Sequence, residues 1–262
     1  MSANEPAVYS EPVVAERRGS VLVITLNRPE VRNSVNAALA AGVGGALDEL
    51  DGDENLLVGV VTGAGGFFSA GMDLGAFVKG ESPWFGDRGF AGIAHRAARK
   101  PLIAAIEGFA VAGGMEIALS CDLIVAAKGA KLGIPEAKRS LVAAGGALLR
   151  LPRRMPYHAV MELALTGDFQ PAERMHELGL VNRVVEPGGA VDAALELAAE
   201  LARNAPLALV ATKRILQEQF DWKSTEMWER QAEISGPVFA SEDAKEGANA
   251  FKEKRAPVWR GR

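Results

Sequence analysis

Short apolar stretches alternate with helical patterns over the first two thirds of the chain. Residues 13–17 and Val21–Leu26 predict two strands joined by a turn at Gly19 and Ser20. The continuous apolar run at 56–62 is typical of a strand that is buried on both faces. A further apolar strand is predicted at 101–106. This pattern favours an α/β protein with a largely buried sheet.

Helical spacing predicts the remaining elements. Ser34 is a good N-cap for an amphipathic helix over 35–50. Shorter helices are predicted at 73–78, 115–120, 157–165 and 171–178, and strands at 124–127 and 180–185. After residue 190 the pattern is wholly helical, with predicted helices at 191–205, 206–219, 225–240 and 241–252. We therefore expect a flexible tail at 1–12, an α/β core at 13–190 and a helical region at 191–262.

A glycine-hinged stretch follows the strand at 101–106. The apolar pattern breaks at Gly108 and resumes as a short helix after Gly113 and Gly114. The first N–H groups of a helix have no partner within it, so they can bind an anion or a developing oxyanion. Glu116 lies in the first turn of this helix, where a carboxylate is also common for dipole reasons alone. Its apolar neighbours predict a poorly hydrated carboxyl with a raised pKa, able to transfer protons near neutral pH.

Two further turns have similar features. Gly71 hinges a turn ahead of the helix at 73–78, but residues 63–74 match neither the dinucleotide-binding glycine pattern nor the P-loop. This turn could be a simple connection between a strand and a helix. Pro135 keeps the residue before it extended, which places Glu136 at a sharp exit from a strand. Glu136 could also simply begin a surface helix.

Composition and charge exclude several classes of function. The chain has 262 residues, 48% hydrophobic and 24% charged, with a net charge of −4. The acidic balance argues against a general nucleic-acid binder. The single Cys121 permits no internal disulfide, which is compatible with a reducing, cytoplasmic location. We expect no secretory signal and no membrane span, since charged and glycine residues interrupt the most apolar window.

Other residues with possible chemistry have simpler explanations. The three histidines, His95, His158 and His176, lie without metal-ligand spacing, so no metal site is expected. No nucleophile elbow supports a serine hydrolase. We expect the basic clusters 96/99/100 and 150/153/154 to lie mostly on solvated helix faces.

A set of ordered motifs resembles the enoyl-CoA hydratase/isomerase (crotonase) family. The motifs are Asn27-Arg28-Pro29 with Asn33, Phe68-Ser69-Ala70-Gly71-Met72-Asp73-Leu74, Ala112-Gly113-Gly114-Met115-Glu116, Cys121-Asp122, Pro135-Glu136, Leu165-Thr166-Gly167 and Gly179-Leu180-Val181-Asn182. The resemblance covers about 13–255. It implies an α/β spiral of ββα units with a helical C-terminal trimerisation region, in which trimers commonly pair into hexamers.

The resemblance also implies a reaction and its residues. The ligand would be an acyl-CoA thioester, with no separate cofactor, and the oxyanion hole would be the backbone N–H groups of Met72 and Gly113. The family's two hydratase glutamates match Glu116 and Glu136. By resemblance Glu116 activates water and Glu136 handles the proton at the carbon beside the thioester carbonyl. The expected function is enoyl-CoA hydratase, a hydro-lyase that converts a trans-2-enoyl-CoA to a 3-hydroxyacyl-CoA.

The binding of coenzyme A is also carried over by resemblance. The substrate-binding residues of the family match Val31, Arg32, Ala70, Asp73 and Leu74. Arg32, or a tail lysine such as Lys252 or Lys254, could pair with a phosphate. For these basic residues a simple surface position is the competing interpretation.

Departures from the family pattern leave alternatives open. The usual glycine triplet is reduced by Ala112, and the segment 140–144 differs from many relatives, which leaves the acyl-chain preference open. The segment 80–92 is expected to form a flap over the same pocket or to serve as packing. An enoyl-CoA isomerase, a specialised acyl-CoA dehydratase and a non-catalytic acyl-CoA-binding protein are the alternative functions.

Overall fold

The computed structural model describes residues 7–10 and 12–262, with side chains from residue 12 onward. The strands are β1 (Ala7–Ser10), β2 (Val13–Arg18), β3 (Val21–Leu26), β4 (Val58–Gly63), β5 (Trp84–Phe85), β6 (Gly89–Phe90), β7 (Leu102–Ile106), β8 (Phe109–Val111), β9 (Leu123–Ala127), β10 (Lys131–Gly133), β11 (Gln170–Pro171) and β12 (Arg183–Val185). The α-helices are α1 (Ala37–Gly52), α2 (Leu74–Val78), α3 (Gly113–Ser120), α4 (Ala147–Arg150), α5 (Tyr157–Thr166), α6 (Ala172–Glu177), α7 (Ala190–Ala202), α8 (Pro206–Glu218), α9 (Met227–Ala240) and α10 (Glu242–Glu253). Short 3₁₀ helices lie at Pro29–Val31, Gly86–Arg88, Glu136–Arg139, Leu151–Arg153 and Gln219–Asp221.

Seven strands form the main sheet, in the order β1-β2-β3-β4-β7-β9-β12. The first two pairings, β1 with β2 and β2 with β3, are antiparallel, and every later pairing is parallel. A second sheet has the order β11-β10-β8, in which β8 and β10 are parallel. The chain passes from a strand of the main sheet to one of the second sheet and then to a helix, as in β7-β8-α3. This alternation confirms the predicted α/β class with ββα units.

The main sheet is apolar on both faces because successive side chains of a strand point to opposite sides. In β3, Leu22 and Ile24 belong to the larger core, which also contains α1 and α3, whereas Val21 and Val23 belong to a second core. Helix α7 supplies apolar side chains to this second core, including Ala194 and Ala198. Both faces of the parallel strands are therefore covered, as their continuous apolar sequences predict.

The boundary predicted at 190/191 falls at the start of α7. Because α7 covers one face of the main sheet, the packed core extends through Ala202. Glu107 fixes the start of this helix, since its Oε1 accepts hydrogen bonds from the N–H groups of Gly188 and Ala190, each at 3.0 Å. The helices after α7 form the rest of the region predicted at 191–262.

Most predicted elements are present, with shifts at their ends. The strands predicted at 13–17 and Val21–Leu26 are confirmed as β2 and β3. The predicted cap of α1 is wrong: the helix begins at Ala37, and Asn36 is its N-cap, with Oδ1 accepting from the N–H of Leu39 at 3.0 Å. Ser34 cannot start the helix because the following Val35 is still extended and bridges to Met72.

Within the segment predicted as a flexible tail at 1–12, residues 7–10 form β1 against β2. An added strand satisfies backbone groups at the edge of β2 that would otherwise lack partners in the sheet. Residues 1–6 and 11 of the predicted tail lie outside the described residues.

Among the described residues, no helix combines the length and the apolar character needed to cross a bilayer. The same residues include no group of three or more His, Cys, Asp or Glu side chains arranged to hold a metal ion.

Candidate active site

A cavity of about 750 Å³ lies between the turn that precedes α2, the second sheet and α3. Its lining residues are Arg32, Ser34, Ala70, Met72, Asp73, Leu74, Trp84, Phe90, Phe109, Val111, Ala112, Gly113, Glu116, Lys131, Pro135, Glu136, Arg139, Leu141, Val142, Ala144, Gly145 and Phe169. The structure thus brings together eight of the nine residues predicted for the site. Val31 is the exception: it is 38% exposed, and it lies in the neighbouring 3₁₀ helix outside the lining.

The turn at Gly71 and Met72 is fixed by two buried polar side chains. Ser69 donates its hydroxyl to the carbonyl of Asn33 at 2.8 Å and accepts the N–H of Gly71 at 3.1 Å. The Asn33 amide nitrogen donates to three carbonyls of the same loop, those of Ala64, Phe67 and Phe68. With these groups satisfied, the N–H of Met72 donates to no protein acceptor in the described part of the chain.

The second turn lies at Ala112 and Gly113, where β8 leads into α3. Ala112 has φ 52° and ψ −129°, a conformation that L side chains rarely adopt. The N–H of Gly113 is the first of α3, and within the described residues it also has no protein acceptor. A Cβ placed on Gly71 would lie 2.5 Å from the nitrogen of Gly113, so the two turns are in direct contact. Two N–H groups without protein acceptors therefore belong to adjacent walls of one cavity.

Glu116 lies one turn into α3 and is only 4% exposed. Its Oε1 accepts the N–H of Ala147 at 3.2 Å. Burial raises the pKa of the Glu116 carboxyl to about 7, and the nearby charge of Glu136 adds to the rise, while the N–H groups of Ala147 and Gly145 and the charge of Arg150 oppose it. The prediction of a poorly hydrated carboxyl with a raised pKa is confirmed.

Glu136 begins the 3₁₀ helix Glu136–Arg139 directly after Pro135. Its Oε2 atom is buried and has no hydrogen-bond partner among the described residues. Burial raises the pKa of the Glu136 carboxyl, whereas its own N–H and the charge of Arg139 lower it. A buried carboxyl oxygen without a partner is costly unless it is protonated or meets a ligand group. Both carboxyl groups thus line the same cavity, and burial raises the pKa of each.

Asp73 and Arg32 have different surroundings at the cavity edge. The Asp73 carboxylate caps α2 through the N–H of Ala76 and pairs with Arg28 at 3.0 Å. The Asp73 carboxylate therefore makes its hydrogen bonds with protein groups, and these bonds stabilise the loop that precedes α2. Arg32 lines the cavity in a left-handed conformation, with φ 56°, and makes no ion pair with a described residue. Lys252 and Lys254 do not line the cavity.

Apolar and aromatic side chains form much of the cavity wall. Trp84 and Phe90 belong to the hairpin of β5 and β6, in the segment predicted as a flap or as packing. This hairpin is anchored to α1, because the buried Arg88 guanidinium binds Asp48 at 2.5 Å and Phe85 packs against Gly44. The segment therefore packs on α1, as one of the two interpretations predicted, and it also lines the cavity.

The expectation of solvated helix faces for the basic clusters is wrong in part. Arg96, Arg99 and Arg153 have exposed side chains, with exposed fractions of 48%, 71% and 49%, but Arg96 and Arg99 lie outside the helices. Arg150 is instead partly buried and points between two backbone segments, donating to the carbonyls of Gly145 and Ala94. A four-residue helix does not have enough turns to reveal from sequence which of its faces is buried.

Several residues of the site were not predicted to act in it. Gly145 is required beside Glu116, because a Cβ there would lie 2.5 Å from Oε2. The pair Gly145-Gly146 was visible in the sequence as a break before a short helix, but nothing local indicates its carboxyl neighbour. The aromatic residues Phe109 and Phe169 are likewise brought to the cavity by pairings within the second sheet.

The arrangement suits proton transfer beside a polarised carbonyl. Two neighbouring N–H groups, if both face the same oxygen, can stabilise negative charge that develops on it. Two carboxyl groups with raised pKa values can take and give protons near neutral pH. The apolar walls of the cavity can accept an acyl group.

Comparisons with known proteins agree with this geometry. The model of the family described as enoyl-CoA hydratase/isomerase matches residues 16–262. The enoyl-CoA hydratase EchA19 of Mycobacterium tuberculosis is 42% identical over 95% of this chain and 96% of its own. A carnitinyl-CoA dehydratase of Salmonella typhi is 42% identical over 97% of this chain and 100% of its own. A crystal structure of an enoyl-CoA hydratase from Mycobacterium tuberculosis, 55% identical, superposes with a TM-score of 0.94 over 97% of this chain and 100% of its own.

Proposed function

The chain belongs to the enoyl-CoA hydratase/isomerase family, and from this premise we propose that it catalyses the reversible addition of water to a trans-2-enoyl-CoA. The product is a 3-hydroxyacyl-CoA. The chain is an enzyme of a hydro-lyase family, and its fold is the crotonase fold of the solved relatives. The roles of individual residues in this reaction are part of the same proposal.

The thioester carbonyl oxygen binds between the N–H groups of Met72 and Gly113. These two donors polarise the double bond conjugated to the carbonyl, and they stabilise the enolate formed when water adds to the β-carbon. Removing one such donor typically costs about 10²–10³ in rate. Because the donors are backbone groups, the side chain of Met72 contributes to the wall rather than to the charge stabilisation.

Glu116 and Glu136 carry out the proton transfers. Ionised Glu116 takes a proton from water as the oxygen attacks the β-carbon, and protonated Glu136 delivers a proton to the α-carbon of the enolate. The water is thereby added as a hydroxyl group and a hydrogen atom, and the two carboxyl groups exchange protonation states. Because each charge affects the other carboxyl, their two titrations are coupled.

One observation supports this proposal most directly. The buried Glu116, the partly buried Glu136 and two N–H groups without acceptors among the described residues line a single cavity. An isomerase needs only one base beside the substrate, and a non-catalytic binding protein needs neither. The isomerase and the acyl-CoA-binding alternatives are therefore not favoured.

The substrate needs a site for its coenzyme A part as well. Arg32, Ala70, Asp73 and Leu74 line the cavity on the side of the first turn, where they support the proposed contact with coenzyme A. Val31 remains a proposed contact through its backbone beside Arg32. No cofactor is proposed, since the thioester supplies the activated carbonyl and the chain supplies the proton-transfer groups.

A specialised dehydration is the second candidate. The similarity to the carnitinyl-CoA dehydratase favours it, and the chemistry is the same reaction run in the direction of water loss. Trp84 and Phe90 in the cavity wall could face a cationic acyl group through their rings, as aromatic rings do in cation–π contacts. The two candidates differ only in the acyl group.

We propose a homotrimer, or a hexamer formed from two trimers, for the assembled protein. Large apolar side chains on the helical C-terminal region support this, since Trp228, Phe239 and Phe251 are each at least 75% exposed in the single chain. Native mass spectrometry tests the assembly, and a monomer would contradict it.

A cytoplasmic location is part of the same proposal, supported by the lone, buried Cys121.

The test of the proposed reaction follows the loss of the 2-enoyl thioester absorbance with purified protein. Short-, medium- and long-chain 2-enoyl-CoA thioesters and crotonobetainyl-CoA are compared under the same conditions. We expect turnover of at least one plain enoyl-CoA, and a reduction of kcat by roughly 100-fold or more in Glu116→Gln and in Glu136→Gln.

Glu54→Gln is the matched control, because Glu54 is exposed and does not line the cavity. Undiminished turnover in either active-site variant would remove that residue from the mechanism. Turnover of crotonobetainyl-CoA alone would assign the second candidate. No turnover of any thioester would contradict the proposed function.

A further inference from the structure

The backbone segment 145–147 separates two ionisable side chains, the carboxyl of Glu116 and the guanidinium of Arg150. A Cβ on Gly145 would lie 2.5 Å from Glu116 Oε2, and a Cβ on Gly146 would lie 2.1 Å from Arg150 Nη1. Each glycine therefore leaves room for one of the two charged groups. Because neither glycine has a side chain, the backbone segment leaves room for the Glu116 carboxyl beside Gly145 and for the Arg150 guanidinium beside Gly146.

The Arg150 guanidinium is held by carbonyl groups alone. Its Nη1 donates to Gly145 at 3.2 Å and its Nη2 donates to Ala94. Within the part of the chain that the structure describes, no carboxylate lies within ion-pair distance of this guanidinium. Burial lowers the pKa of Arg150 below its ordinary value. A partly buried cation without an ion pair favours negative charge on nearby groups able to carry it, and the Glu116 carboxyl is such a group.

We propose that Arg150 is a positioning residue, which holds the peptides at 145–147 against the Glu116 carboxyl and favours the ionised form of that carboxyl by its charge. The inference rests on the proposed function in one respect: water activation needs Glu116 ionised. Arg150 does not line the cavity, so it acts through Glu116 and not on the substrate.

The other charged groups near this pair act in both directions. Glu136 lines the same cavity as Glu116 and disfavours its ionisation, and Arg139 in turn stabilises charge on Glu136. Arg154 and Cys121 also interact electrostatically with Arg150. Among the charges that act on the Glu116 carboxyl, Arg150 is the one that lowers its pKa. Without Arg150, burial and Glu136 would keep Glu116 protonated to a higher pH.

Two conservative variants separate charge from hydrogen bonding. Arg150→Gln removes the positive charge but keeps an amide N–H₂ that can donate to the carbonyl groups. Arg150→Lys keeps the positive charge but replaces the guanidinium, whose N–H groups donate to two carbonyl groups, by a single ammonium group. Titration of the Glu116 carboxyl is followed by infrared difference spectroscopy of the resting protein, with Glu116→Gln to assign the band. The pH profile of kcat/KM is measured in parallel.

We expect Arg150→Gln to raise the titration midpoint of Glu116 by about one pH unit, a typical size for the loss of a nearby opposite charge. The acidic limb of kcat/KM moves up with it, while KM changes little. Arg150→Lys leaves the midpoint in place and lowers kcat. Arg153→Gln is the control, since Arg153 is exposed, stacks on Phe220 and is expected to change neither readout.

An unchanged midpoint in folded Arg150→Gln would overturn the inference, and so would equal shifts in the Gln and Lys variants. If Arg150→Gln does not fold, Arg150→Lys alone decides: a displaced midpoint contradicts the role of the charge, and a midpoint in place with reduced kcat supports it. The spectroscopic midpoint needs no turnover. A shifted midpoint in a protein that hydrates no enoyl-CoA would therefore contradict the proposed function and leave the inference intact.

Discussion

At the residue scale, Gly71 determines how closely the two amide turns approach each other. Its φ of +90° is a conformation that favours glycine, and its missing side chain leaves the nitrogen of Gly113 accessible from the cavity. Any Cβ there would lie 2.5 Å from that nitrogen. The glycine therefore permits both the backbone conformation and the donor geometry.

Gly71→Ala is expected to lower kcat by about 10²–10³, because the methyl group displaces one of the two N–H donors. Turnover of the best enoyl-CoA substrate measures this. Gly66→Ala is the matched control, since Gly66 has a similar φ of +81° but open space around the position of a Cβ. Equal losses in the two variants would show that backbone strain, rather than the lost donor, accounts for the effect.

Ala112 carries strain that a glycine would relieve. Its φ of 52° and ψ of −129° cost a non-glycine residue about 1–3 kcal/mol, partly offset by about 0.4–1 kcal/mol of unfolded-state entropy that alanine saves. Ala112→Gly should therefore raise the free energy of unfolding by roughly 1 kcal/mol, measured by urea denaturation. Ala199→Gly, on the exposed face of α7, should lower it by about 1 kcal/mol. A loss of stability in both variants would contradict the strain at residue 112.

The residues that local sequence could predict are those marked by a glycine or a proline. The glycine-hinged start of α3 pointed to Gly113 and Glu116. Pro135 placed Glu136 at a strand exit, but its role, like that of Met72, followed from the family resemblance. The partners of these residues could not be predicted, because they come from distant positions: Ala147 donates to Glu116 across 31 residues. The conformation of Ala112 was also hidden, since alanine gives no signal for a positive φ.

At the scale of elements, a buried ion pair fastens α8 to the core. Lys213 Nζ lies 2.7 Å from Asp122 Oδ2 and donates to the carbonyl of Lys100 at 2.8 Å. Asp122 also accepts the N–H of Leu102 at the start of β7. The pair thus joins a C-terminal helix to the main sheet at the end of α3.

Lys213→Met is expected to lower the free energy of unfolding by about 3 kcal/mol, because it leaves the Asp122 carboxylate without its buried cation. Urea denaturation measures the change. The neighbouring Arg214→Met removes an exposed pair with Glu218 and should cost no more than about 0.5 kcal/mol. Losses of similar size in the two variants would contradict a fastening role for Lys213.

Helices and strands that are long enough to show a periodic pattern of apolar residues could be predicted from the sequence. Short strands that exist only through pairing with another strand could not. The strands β3 and β4 and the four C-terminal helices follow from their own sequences. β8 has three residues and β5 has two, so neither can show an alternating pattern. Their existence depends on partners: β8 pairs with β10, and β5 pairs with β6.

At the scale of the whole molecule, the buried Glu116 links stability to pH. Its pKa of about 7 in the folded state is above the ordinary value near 4.3 that it has when unfolded. The folded state therefore holds this proton more tightly, and the stability that it contributes is complete below the unfolded pKa. That contribution is lost as pH rises through about 7.

Glu116→Gln should consequently be more stable than the natural chain at alkaline pH, by roughly 3 kcal/mol above pH 8, with a difference that falls toward zero near pH 4. Urea denaturation of both proteins across this range tests the expectation. Glu54→Gln controls for the loss of an exposed carboxylate. A difference that stays constant with pH would contradict the raised pKa.

Among the described residues of a single chain, those that line the cavity all lie between Arg32 and Phe169. The last third of the chain, including α7 and α8, reaches this cavity only through the elements that it supports. In a deep mutational scan, the damaging substitutions should therefore fall into two classes according to their position in the sequence. Damaging substitutions after residue 170 should act mainly on melting temperature and assembly, whereas those that act on turnover at constant abundance should cluster before it.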